Sequence, residues 1–254
     1  MRKSICIMIC SGWLLSILGS LSVSMHIAIA QSQGSSRDEA RFTPPPGEES
    51  PEIKSLISRA QLSLGGGTIS PTSLLIDPAF MSAHEWPRFR KLICQYAKAN
   101  QTTIVTPQEP GEPMLVSGTI RNQLGEPIKG ALIYVYQTSA KGWYSDKAPH
   151  ISGMAGDEKY ARLFGYLTTD QDGRYEFRTI RPGGYPRSNL PAHIHIEIEV
   201  GGSETRTFIS EIQFEDDVRL TREMRDRGLR ERLFVFPVKR EANGLQRVKA
   251  DFQI

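Results

Sequence analysis

Cysteine is scarce in this chain: three in 254 residues, at Cys6, Cys10 and Cys94. A chain that keeps only Cys94 after loss of its first residues forms no internal disulfide. That excludes a disulfide-stapled scaffold, so stability has to come from packing. Cys94 falls on an apolar helical stripe and reads as a small buried hydrophobe. Charge of one sign is scarce too. Lys and Arg total 31 against 28 Asp and Glu, a net of +3 that is too small and too dispersed to predict a nucleic-acid partner. In the most basic run, 219–232, Glu223, Asp226 and Glu231 interrupt the arginines, which gives a solvated helix or loop face. No internal repeat is visible.

The long apolar run lies near the N-terminus, from position 5 to about 23, behind Arg2 and Lys3. Ala28-Ile29-Ala30 before Gln31 has the small-x-small pattern of a signal-peptidase site, so residues 1–30 are expected to export the chain, to the periplasm or beyond. Left uncleaved, the same segment would be an inner-membrane anchor and the one membrane tether expected. Residues 31–52, with Pro44-Pro45-Pro46-Gly47, read as a disordered linker.

Residues 53–113 read as a helical N-terminal extension. A weakly amphipathic segment over 53–64 ends at Gly65-Gly66-Gly67. A stronger one over 87–99 carries Phe89, Leu92, Ile93 and Tyr96 at helical spacing, with Pro87 suited to the first turn. This helix could serve a homodimer contact or pack on its own domain, and the sequence leaves both open. His84, just ahead of it, reads as a capping or surface residue.

From 114 to 254 the period changes to that of strands divided by turn signals. Strands are expected at 114–120, 131–136, 164–168, 174–180, 193–200, 206–214, 233–238 and 248–254, with Gly201-Gly202 as a hairpin turn. The expected fold class is all-β: an antiparallel β-sandwich with a short N-terminal helical extension.

The chemistry concentrates in Tyr185-Pro186-Arg187-Ser188-Asn189-Leu190-Pro191-Ala192-His193-Ile194-His195. Residues two apart on a strand share a face with roughly 6.6 Å between their backbones, so His193 and His195 can converge on one ion while Ile194 turns inward. Upstream stand Gly142-Trp143-Tyr144-Ser145 and, later, Pro182-Gly183-Gly184-Tyr185-Pro186. Phenolate is a hard anionic donor that forms at neutral pH only beside something such as a trivalent cation. Two phenols with two imidazoles therefore suit ferric iron better than zinc.

The order Gly-x-Tyr-Ser, Gly-Gly-Tyr-Pro, Pro-Ala-His-x-His resembles the intradiol ring-cleavage dioxygenases, the family of catechol 1,2-dioxygenase and protocatechuate 3,4-dioxygenase, over roughly 114–214. The resemblance implies that Tyr144, Tyr185, His193 and His195 bind Fe(III), with Tyr185 the ligand that substrate displaces. It implies a small-molecule catechol and O2 as the partners in a cleavage between the two hydroxyl-bearing carbons, giving a muconate-type diacid. Two positions depart from the family pattern: Leu190 stands where an arginine is usual, and Glu211 where a glutamine is. Both bear on how the activated ring is held. Arg187 or Arg178 could supply the missing guanidinium. His150 and Met154 could line the pocket, and Tyr160 is the alternative to Tyr144 as first tyrosine ligand.

Two other readings stay open on the residues alone. Gly125-Glu126-Pro127 and Asp170-Gln171-Asp172-Gly173 also resemble transthyretin-like (prealbumin-like) and carboxypeptidase-regulatory-like modules, which bind or connect and do not catalyse. The histidine pair with Glu197 or Glu211 could instead form a ferrous two-histidine, one-carboxylate site. A ladder of His193, His195 and Glu197, though, spans about 13 Å of strand.

Overall fold

The protein is described by a computed structural model covering residues 48–145, 161–186, 188–201, 205–231 and 233–254. The expected leader, and the linker up to position 47, lie outside the described residues. Helix α1 (Pro51–Gly65) starts where Ser50 caps it, the Ser50 Oγ accepting from the Ile53 amide at 3.3 Å, with Pro51 in the first turn. Its buried residues, Ile53, Ile57, Ala60 and Leu64, recur every three or four positions. Helix α2 (Pro71–Ile76), a 3-10 helix (Pro78–Ala83) and α3 (Pro87–Tyr96) follow.

The strands are β1 (Gln101–Thr103), β2 (Pro113–Arg121), β3 (Leu132–Gln137), β4 (Leu163–Thr168), β5 (Arg174–Ile180), β6 (His193–Val200), β7 (Arg206–Phe214), β8 (Phe234–Phe236), β9 (Val238–Arg240), β10 (Gln246–Lys249) and β11 (Phe252–Gln253). They form two sheets. The first has the order β1-β5-β2-β10-β9, with β11 beside β2, and the second has the order β4-β3-β6-β7-β8.

Strand alternation decides what each face meets. In β3, Ile133 and Val135 enter the apolar cluster shared with Val116 and Phe177 of the first sheet, and Ile194, Ile196 and Ile198 of β6 join them. Tyr134 and Tyr136 point the other way, into a second cluster with Ile57, Leu75, Phe89 and Ile93 of the helices. Each fully buried aliphatic or aromatic side chain contributes roughly 1.5–3 kcal/mol. Along β3 and β4 the second sheet is thus apolar on both faces, and the helices pack on the face that carries His193 and His195 further along the sheet.

This arrangement corrects the expected fold class. The chain is a mixed α/β structure, not an all-β antiparallel sandwich with helices confined to an N-terminal extension. Five helices are distributed through the described residues, and α4 (Arg222–Glu231) falls between β7 and β8. Both sheets are open, and β1/β5, β2/β10, β2/β11 and β7/β8 pair in parallel. The physical reason is the doubly apolar face of β3 and β4, which alternate aliphatic and aromatic residues and need cover on both sides. Helix α3 packs Phe89 and Ile93 into this protein's own core.

Candidate metal centre

His193 and His195 occupy the start of β6 with their rings on the helix-covered face, both buried at 7% and 9% exposure. The His193 Nδ1 donates to the Pro191 carbonyl at 2.8 Å, which leaves its Nε2 as the lone-pair nitrogen. Tyr136 of β3, the cross-strand neighbour of His195, lies parallel to that imidazole with ring centroids 4.5 Å apart and planes 5° apart. The ring of His195 is therefore held on one side by an aromatic face.

The tyrosines come from two loops that are zipped together. The loop after β3 brings Tyr144, and the loop before β6 brings Tyr185. Between them the Thr138 hydroxyl donates to the Gly183 carbonyl at 2.7 Å, and the Gly183 amide donates to the Ser139 carbonyl at 2.9 Å. Gly142 turns the first loop at φ +81°, and a Cβ there would run into the Gly184 carbonyl. The register of one loop on the other depends on this close approach. Beyond Tyr144, the Arg162 amide donates to its carbonyl at 2.7 Å, and the Ser145 hydroxyl donates to Glu85 at 2.5 Å.

Four heteroatoms converge. The Tyr144 hydroxyl lies 2.9 Å from His195 Nε2, and the Tyr185 hydroxyl lies 3.1 Å from His193 Nε2 and 3.4 Å from His195 Nε2. The two Nε2 atoms are 3.1 Å apart, and the two phenol oxygens are in direct hydrogen-bonding contact. Neighbouring ligands around an ion held at about 2.0–2.2 Å are separated by about 2.8–3.6 Å, so the edges that include an imidazole nitrogen fit one shared metal. Hard phenol oxygens beside neutral imidazoles form the donor set of a non-haem iron(III) centre.

Glu211 also reaches the cluster. It faces His195 across the β6/β7 ladder, and its carboxylate with the two imidazoles forms the metal-competent group of His, Cys, Asp and Glu found among the described residues, all ligand atoms within 4.8 Å. Its Oε1 is 3.9 Å from His193 Nε2, and its Oε2 accepts from the Gln213 amide at 3.0 Å. Glu197 is not in that group. It sits opposite Tyr134 and Ile209, further along the strand.

The other predicted residues divide as follows. Leu190 lies in the loop before β6 at 43% exposure. Arg178 sits on β5 in the first sheet, paired with Leu115 and Thr103, and does not join the cluster. Arg187, His150, Met154 and Tyr160 lie outside the described residues. His84 caps the C-terminus of the 3-10 helix, its amide donating to the Met81 carbonyl at 3.2 Å, but it is not a surface residue. It is 1% exposed, its Nδ1 donates to the Arg162 carbonyl at 2.8 Å, and it stacks on Phe89. Burial, aided by the nearby Arg90 charge, pushes its imidazole down to about 4.

Two neighbours of the site were missed from the sequence, Tyr136 beside His195 and Arg219 beside Gly184. The Arg219 guanidinium occupies the space that a side chain at position 184 would need, so Gly184 is what admits it beside Tyr185. The alternation of β3 put Tyr136 on a face with Tyr134, which was the available signal. Nothing local pointed to Arg219.

A histidine pair with two phenols on the covered face of a sheet defines a tyrosinate-type ferric site. A family model described as Dioxygenase (Dioxygenase_C) matches residues 85–254, and the chain belongs to this family, the intradiol ring-cleavage dioxygenases. It is 29% identical over 129 residues to catechol 1,2-dioxygenase 1 of Acinetobacter lwoffii, covering 44% of this chain and 39% of that protein. It is 34% identical over 93 residues to the protocatechuate 3,4-dioxygenase beta chain of Burkholderia cepacia, covering 35% and 39%. The chain thus spans about two fifths of the length of these curated relatives. Among solved structures, the dioxygenase domain of a dioxygenase carbohydrate-binding protein fusion from Streptomyces sp. SirexAA-E has a TM-score of 0.45 at 25% identity, over 62% of this chain and 88% of that one. An intradiol ring-cleavage dioxygenase from Tetranychus urticae has a TM-score of 0.48 at 21% identity, over 62% and 86%.

Proposed function

We propose that the protein is an intradiol dioxygenase that takes a catechol and O2 and opens the ring between the two hydroxyl-bearing carbons, giving a muconate-type diacid. The observation that carries this reading is the convergence of Tyr144, Tyr185, His193 and His195 on one point. When bound, ferric iron supplies Lewis acidity that ionises coordinated phenols and activates a chelated catechol ring toward dioxygen.

The protein's own residues divide the work. His193 and His195 sit on a strand, with one ring fixed by the Pro191 carbonyl and the other by Tyr136, so they keep the centre in place. Tyr144 is 2% exposed and belongs to the fixed set. Tyr185, at 8% exposure the more open of the two loop tyrosines, is the side chain best placed to swing away and take a substrate proton on its phenol oxygen.

The test is iron loading followed by a visible spectrum and oxygen uptake with catechol. A tyrosinate-to-iron absorption band with stoichiometric oxygen consumption is expected. Tyr144→Phe and Tyr185→Phe should each lose part of the band, and Tyr144→Phe should release iron more readily. Full colour and turnover in both variants would remove the tyrosinate site.

A further inference from the structure

Resting on that reading, we infer that Glu211 sets the charge preference of the substrate pocket, selecting catechols whose ring substituent is neutral or cationic and rejecting those that carry a carboxylate. The observation is the place of the Glu211 side chain. It stands beside the two imidazoles, within 4.8 Å of their ligand nitrogens, and is 24% exposed. A catechol chelating an ion held by these nitrogens would have this carboxylate among its neighbours. The Gln213 amide, donating to Oε2 at 3.0 Å, fixes its orientation without neutralising its charge.

Among the described residues, no arginine or lysine forms an ion pair with Glu211. Leu190, on the loop leading to His193, offers hydrocarbon and no cation. The guanidinium of Arg219 lies against Gly184, next to Tyr185, whereas Glu211 is beside His193. An anionic substituent on the ring would then meet a like charge in a site only partly open to water, where charge interactions are weakly screened. An alkylammonium substituent would meet an opposite one. A glutamine of the same size at position 211 would keep the hydrogen-bonding shape and remove the discrimination.

The experiment is an anaerobic binding titration of iron-loaded protein, read from the catecholate-to-iron band. The probes are 4-(2-aminoethyl)catechol, 4-ethylcatechol and 3,4-dihydroxyphenylacetate, which differ chiefly in charge. The expected order of Kd is ammonium below neutral below carboxylate, with roughly tenfold between the extremes or more, the order of effect for unit charges a side chain apart in a partly solvated site. Glu211→Gln should collapse the series, with Glu211→Ser as the second neutral variant should the first not take up iron, and Glu211→Asp should preserve it. An unordered series in the wild type, or an ordered one in the neutral variants, overturns the inference while leaving ring cleavage intact. Failure of 4-ethylcatechol to give any catecholate band in the wild type overturns the ring-cleavage reading instead.

Discussion

Replacing Gly142 by alanine tests whether the approach of the two tyrosine loops builds the metal centre. At φ +81° any Cβ costs roughly 1–2 kcal/mol of backbone strain. Here it would also meet the Gly184 carbonyl and lie 3.0 Å from Pro186 Cδ, so the loops must part. Parting them weakens the hydrogen bonds from Thr138 and Gly183, each worth about 1 kcal/mol. The expected total is about 2–4 kcal/mol. Gly125→Ala is the matched control. Its φ is +83° and a Cβ there meets nothing within 4 Å, so it carries the strain without the collision. Urea unfolding of the metal-free protein should show the difference. Competition with a chelator should show iron affinity falling about 10- to 100-fold in Gly142→Ala, the range typical for residues that orient ligands, and little change in Gly125→Ala. Equal iron affinity in the two variants would refute the view that this contact sets the distance between Tyr144 and Tyr185.

Acid should destabilise the fold through His84. Its folded pKa, about 4, lies below the ordinary value of 6.5, so the stabilisation is complete above pH 6.5 and is lost as pH falls from there toward 4, by up to about 3 kcal/mol. His84→Phe should flatten that part of the pH dependence of the urea midpoint, and an unchanged slope would point to other groups. The buried pair of Arg162 with Glu109, joined at 2.5 and 2.8 Å, should behave as a desolvated ion pair. Arg162→Met is expected to cost about 3–5 kcal/mol in denaturant unfolding, and adding Glu109→Gln should recover part of it; additive costs would argue against strong coupling.

The strands that carry the histidines were legible because local pattern suffices there. The ranges 174–180, 193–200 and 206–214 coincide with β5, β6 and β7, where side chains alternate between two clearly different environments. The layer of helices was not legible as cover. The run from Leu132 to Tyr136 is apolar at successive positions, and that continuity, read as a strand alone, was the sign of burial on both faces. Parallel pairing of β2 with β10 depends on residues more than a hundred positions apart, which no local periodicity reports. The four side chains that converge were recognisable by type and order. The distances between them depend on Gly142 and on the loop hydrogen bonds, which the sequence does not rank above other turns. The burial of His84 was missed for a related reason: it comes from Phe89 and Phe164 on separate elements.

The placement of the ligands follows a mechanical logic. A strand flanked on both sides by hydrogen-bonded neighbours cannot move one residue without moving the sheet, so β6, between β3 and β7, is the stiffest available mount for His193 and His195. A loop joined to its neighbour by a few hydrogen bonds moves at far lower cost. The proposed ring cleavage would need both properties at one ion, because some ligands would hold the metal while another yielded its position to the catechol. Tyr185, more exposed than the other loop tyrosine, Tyr144, would meet the second need, whereas the carboxylate of Glu211 is carried by β7, which is paired on both sides. A rigid anion beside the pocket cannot move aside for an incoming substrate, so the substrate has to suit it.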